Sequence, residues 1–169
     1  MAGYLAALMA AGWTLGSIAS AGVSARHVRY AMLVGPLLGV AGMLTLAVLI
    51  PRESTGNGLA LAPLCLALVA IGSGVGMAWP HLLTQVFQVA PAGEQNLAAA
   101  SITTVQLFAT ALGAALAGMV ANVAGLTDPG GTEGVANAAV WLFGLFALAP
   151  MLAVFIAWRV INQRVVTSA

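Results

Sequence analysis

Five stretches of this chain are too apolar and too long for water to be their solvent. They run approximately from Gly3 to Val23, Tyr30 to Ile50, Leu59 to Phe87, Leu97 to Leu126 and Val135 to Trp158. Each reaches the ~20 residues that cross ~30 Å of hydrocarbon at 1.5 Å per residue. The runs are continuous rather than alternating, and backbone groups in lipid must be paired within their own segment. Helices are therefore predicted and strands are not. The expected class is all-α: a polytopic membrane protein with a single transmembrane domain of five helices. Charge agrees, because only 5% of the residues are charged, whereas a soluble domain carries about 25% to cover its surface.

Several other classes drop out. A net charge of +1 without a basic run offers no nucleic-acid footprint. The lone cysteine, Cys65, cannot form an internal disulfide. "SIASAG" has a small-x-small pattern, but no positive charge precedes the first apolar run, and that run is long for a signal peptide. A spanning helix is the expectation there.

Arginine sets the predicted orientation. Arg26 and Arg29 fall in the first connection, Arg159 and Arg164 in the tail, and Arg52 alone in the second connection. With five crossings the first connection, the third connection and the C-terminus share one side, and that side holds most of the arginines. It is read as cytoplasmic, which puts the N-terminus outside. An integral protein of a bacterial inner membrane is the expected setting, with the lipid bilayer as its first partner.

Small residues recur at four-residue spacing: Gly12, Gly16 and Ser20; Gly35 and Gly39; Gly72 and Gly76; Gly113, Ala117 and Ala121. Lipid gives helices no hydrophobic reason to associate, so close backbone approach has to hold the bundle, and these glycines are read as contact surfaces. "IGSGVGMAWPHLLTQ" could instead suggest a dinucleotide loop. It fails, because Gly76 comes one residue early for G-x-G-x-x-G and the segment lies at membrane depth. Pro80 removes one ladder hydrogen bond, a defect tolerated where a neighbouring helix or a cavity satisfies the freed carbonyl. Either a moving wall or a merely tilted helix would suit it.

Polar groups inside the runs mark candidate sites. Thr103, Gln106 and Thr110 stand at i, i+3 and i+7 on one face of the fourth segment. Such a stripe either glues helices together or lines a wet cavity and hydrogen-bonds a substrate. Thr14, Ser17, Ser73 and Met77 are further cavity candidates, although small hydroxyls can bond their own backbone. His81 is a possible proton or substrate contact; near an interface a neutral imidazole would also be cheap. His81 and Cys65 cannot supply a metal site, no spacing recommends a nucleophile–base pair, and no cofactor is implied. An enzyme is not expected.

Two stretches resemble the major facilitator superfamily. "GVSARHVRY" is similar to the cytoplasmic loop joining the second and third helices of one half, with Gly22, Arg26 and Arg29 matching and Ala25 at the acidic position. "GEQNLAAASITTVQLFATALGAALAGMVAN" resembles the penultimate helix of the drug:proton antiporter branch. Ala111, Leu112, Gly113 and Gly118 match, Gln106 stands at the basic position, and Ala109 and Thr110 replace glycines. The resemblance implies the last five helices of a transporter with at least twelve, a partial C-terminal half-bundle. The first, third and fourth helices would then face a central cavity for a small-molecule substrate. A missing N-terminal half would be a partner, and the five helices alone would be inactive. The implied function is proton-coupled efflux of small organic or drug-like molecules. The alternative is a small membrane scaffold acting through small-residue contacts, which would bury Thr103, Gln106 and Thr110 against a neighbouring helix.

Overall fold

The computed structural model describes residues 2–53, 61–91 and 93–167. They form six helices: α1 (Ala2–Ala21), α2 (Ala25–Glu53), α3 (Leu61–Val89), α4 (Gln95–Val123), α5 (Gly131–Phe146) and α6 (Leu148–Thr167). Among the described residues there is no strand. Among the described residues five spans are long and apolar enough to cross a membrane, because α5 and α6 follow each other as one run, Gly131–Arg159. The protein is all-α and integral to a membrane.

The break in the fifth run differs from the single helix expected over 135–158. Pro150 stands in the first turn of α6, and its ring would clash with the carbonyl four residues back, that of Phe146, where α5 ends. The chain turns at Ala147 and keeps near-helical bonding, with the Ala147 N–H donating to Phe143 O and the Met151 N–H to Ala147 O, 3.0 and 3.1 Å. The first connection is also shorter than expected. The Ser24 carbonyl accepts the His27 and Val28 N–H groups at 2.7 and 3.2 Å, which starts α2 at once. Arg26 and Arg29 therefore sit in the opening turns of α2 rather than in a loop, and Gly22 opens the three-residue turn before it. The Arg26 side chain lies outside the described residues. Arg29 stacks on Tyr30, its guanidinium carbon 4.9 Å from the ring centre.

Packing centres on α3, which carries α1 on one face and α2 on another, while α2 also bears α5 and α6. The α1–α3 seam is made of glycine on both sides. A Cβ at Gly12 or Gly16 would collide with the carbonyls of Val69 or Ser73, and one at Gly72 or Gly76 with those of Met9 or Trp13. Backbone touches backbone along two turns, the close approach that substitutes for hydrophobic association in lipid. On the other face, Gly35 meets the Gly74 carbonyl and Gly42 meets Ala67 and Ile71. Leu46, Ala67 and Ile71 form a buried cluster there, covered by Met43, Leu64 and Phe143.

Two glycines part from their expected stripes. Gly39 keeps its backbone nitrogen against α3, 3.2 Å from a Cβ built at Gly74, but its own Cβ direction faces Pro150 of α6, at 3.4 Å. Gly113 has nothing within 4 Å, so among the described residues it is not a helix contact. α4 as a whole is the least engaged helix: Ala121 is its one buried residue, and Leu107 and Phe108 are 66% and 68% exposed. It is anchored at its C-terminal end. There the Leu126 N–H donates to Ala121 O, and Gly134 of α5 lies against the Gly125 carbonyl. Gly125, Gly130 and Gly131 have φ of 97°, 69° and 65°, left-handed values that glycine takes without a Cβ penalty. They let the chain reverse tightly between α4 and α5.

Candidate functional site

Because α4 leaves α3 along most of its length, a groove of about 680 Å³ opens between the two helices. The α3 wall is Trp79, Leu82, Leu83 and Val86, one helical face just after and beside Pro80. Across from it α4 presents Ala98, Ser101, Ile102, Val105, Gln106, Ala109 and Thr110. Among the described residues no ionisable side chain lines the space.

The polar groups of the groove are not equivalent. Ser101 donates to Leu97 O at 2.8 Å, and Thr110 donates to Gln106 O at 2.8 Å. Both hydroxyl protons are thus committed to their own helix, as short polar side chains in apolar surroundings commonly are. The Gln106 amide makes no hydrogen bond to the described residues, nor does the Trp79 indole. An amide offers two donors and an acceptor. The groove can therefore hold an apolar body by contact and fix its orientation through Gln106.

The remaining candidates lie elsewhere. Thr103 is exposed, donates to Ala99 O at 3.1 Å and is not part of the groove wall. At about 100° per residue it falls past the edge of the arc centred on Val105 and Ala109. Thr14 is exposed and donates to Ala10 O at 3.1 Å. Ser73 and Met77 are half-buried, the Ser73 carbonyl pressed against Gly16 in the α1–α3 seam. Ser17 donates across that seam to Gly76 O at 3.2 Å. His81 is half-buried; its Nε2 is buried and has no hydrogen-bond partner. It does not line the groove. The structure thus joins Gln106 and Thr110 but not Thr103 or the α1 hydroxyls. Among the described residues no group of three His, Cys, Asp or Glu side chains could hold a metal ion.

Trp79, Leu82, Leu83, Val86 and Ser101 are groove residues that the sequence reading missed. Their spacing is an ordinary apolar helix face, which in a membrane looks the same whether it meets lipid or a ligand. The aromatic next to Pro80 is the one signal that could have pointed to it.

No family model matches the chain, and no solved structure matches it. Two curated relatives do, both from Mycobacterium tuberculosis, one from strain CDC 1551 / Oshkosh and one from strain ATCC 25618 / H37Rv; each bears the name "Probable multidrug-efflux transporter". Each is 40% identical to this chain over 154 residues, which is 90% of the chain. The chain spans 31% of the length of these relatives. It is similar, over nearly all its length, to part of a named transporter.

Proposed function

We propose that these helices form part of the wall of a secondary transporter that exports small organic molecules against proton entry. In it the α3–α4 groove would be a stretch of the substrate path. The observation that carries this reading is the groove itself: an apolar space beside a tryptophan, with one uncommitted amide, in a chain 40% identical to named multidrug-efflux transporters. Such sites are mostly apolar with a few placed polar groups. Alternating access would engage helices beyond these, in keeping with the length of the relatives. The arginine distribution favours an external N-terminus and a cytoplasmic C-terminus in a bacterial inner membrane. A scaffold would bury Thr103, Gln106 and Thr110 against another helix, and all three are exposed among the described residues.

Vesicles with these five spans alone should stay empty, whereas everted membrane vesicles in which the spans are joined to the rest of a full-length transporter should accumulate ethidium when a proton gradient is imposed and lose that accumulation when the gradient is collapsed. Uptake of no lipophilic dye, or uptake indifferent to the gradient, would overturn the reading. Whether the groove is wet is tested with Thr110→Cys in a Cys65→Ser background. A water-soluble maleimide should label it from one side of the membrane; silence from both sides argues for a lipid-filled groove.

We assign proton coupling to His81 of α3, whose buried Nε2 has no hydrogen-bond partner among the described residues. An imidazole can take up and release a proton at a ring nitrogen, as a coupling path requires. His81→Gln should leave dye binding in place and uncouple transport from the proton gradient. Transport that the gradient still drives would remove His81 from the coupling path.

A further inference from the structure

We propose that Ser17 is a positioning residue for the α3 wall of the groove, acting by taking over the backbone carbonyl that Pro80 frees. The functional consequence rests on the groove reading above; the geometry does not.

In an α-helix the N–H of each residue bonds the carbonyl four positions back. For Pro80 that carbonyl belongs to Gly76, and proline has no N–H to give it. α3 nevertheless runs through Pro80 without a break, from Leu61 to Val89. A carbonyl left bare in hydrocarbon is costly, and neighbouring helices or hydroxyl side chains are the usual remedy. Here the Ser17 Oγ of α1 donates to the Gly76 oxygen at 3.2 Å. Among the described residues it is the only hydroxyl whose hydrogen bond reaches another helix. Thr14 and Ser20, the other hydroxyls of α1, bond within their own helix, to Ala10 O and Ser17 O at 3.1 and 3.2 Å.

Three residues therefore work as one unit. Pro80 opens the ladder. Gly76 lets α1 come close: a Cβ there would collide with the Trp13 carbonyl and stand 3.0 Å from Ser17 N. Ser17 closes the gap from outside. The segment after Pro80 has lost one tie to the segment before it, so its direction is set partly by α1. That segment and its threshold carry Trp79, Leu82, Leu83 and Val86, the whole α3 side of the groove. Ser17 does not line the groove, yet it fixes where one wall points.

The test uses the full chain in lipid nanodiscs, with Cys65→Ser and spin labels at Leu66 and Val89, which flank Pro80 and are 68% and 82% exposed. Pulsed electron–electron resonance reads the distance distribution along α3. Ser17→Ala should broaden that distribution and shift its mean, and Ser17→Thr, which keeps a hydroxyl, should restore it. Pro80→Ala supplies the missing N–H at position 80 and should make the distribution narrow. Adding Ser17→Ala to Pro80→Ala should then change nothing. A Ser17→Ala distribution identical to the parent overturns the proposal. So does a Ser17→Ala effect that persists undiminished in the Pro80→Ala background, which would signal general loosening of the α1–α3 seam. No substrate enters the measurement, so a failure here leaves the transport reading standing, and a failure of dye transport leaves this one standing.

Discussion

Gly76→Leu should separate α1 from α3 and lower the thermal stability of the protein in detergent more than any conservative change on α4. A side chain at position 76 meets the Trp13 carbonyl and the Ser17 nitrogen, and these are backbone atoms of a regular helix. They cannot turn aside as a flexible side chain would, so the two helices must move apart as bodies. Overpacking a well-filled interior costs about 1–3 kcal/mol and occasionally more; a backbone obstacle puts this case at the upper end. Separation would also strip Ser17 from the Gly76 oxygen. Gly113→Ala is the matched control. Nothing lies within 4 Å of its would-be Cβ, and the exchange improves helix propensity by about 1 kcal/mol in water, so stability should hold or rise slightly. Thermal unfolding followed by tryptophan fluorescence compares the two. Equal melting temperatures for Gly76→Leu and the parent would mean that α1 and α3 are not in backbone contact.

Ala109→Trp should abolish export through the groove while leaving the helices assembled. Ala109 faces the groove from the middle of the α4 wall and is exposed, so a large ring there enters open space rather than a packed seam. It would divide a volume of about 680 Å³ and stand opposite the Trp79 side. The expected result is loss of dye accumulation in everted vesicles with an unchanged melting temperature. Gln106→Leu should act more selectively. A single neutral hydrogen bond contributes about 0.5–1.5 kcal/mol, so substrates that engage the amide should bind up to about tenfold more weakly, and wholly apolar ones equally or better. A uniform loss across all substrates would argue that Gln106 supports the helix rather than reads the ligand. Full export by Ala109→Trp would place the substrate path elsewhere.

Fold class and the number of spans could be read from the sequence because lipid tolerates so few polar groups that each crossing stands out as an unbroken apolar run. Which faces meet could not. Glycines at four-residue spacing mark a helix side, but the same spacing serves Gly72 and Gly76 in a tight seam and Gly113 on an open face. The difference lies in the partner, and the partner is distant in sequence. The stripe of Thr103, Gln106 and Thr110 overhangs one edge of the groove it borders, so its first member falls outside. The apolar half of the site was hidden for a chemical reason: Leu82, Leu83 and Val86 satisfy lipid and ligand alike. Pro80 was visible from the start, and its freed carbonyl called for a partner. That the partner is Ser17, 59 positions away, is a fact of tertiary structure alone.

The contrast between the glycine seam and the sparsely packed α4 has a mechanical consequence. α1 and α2 are each locked to α3 by backbone-to-backbone contact, which makes the three a stiff plate. α4 is fastened to the rest near Ala121 and Gly134, and elements with few buried contacts yield at the lowest energy. A rod held at both ends, by the short connection from Val89 to Gln95 and by the contacts near Ala121, bows most in its middle, which here is the stretch of Gln106 and Ala109 beside the groove. The aperture can therefore gape or shut by flexure of a single helix while the plate keeps its shape.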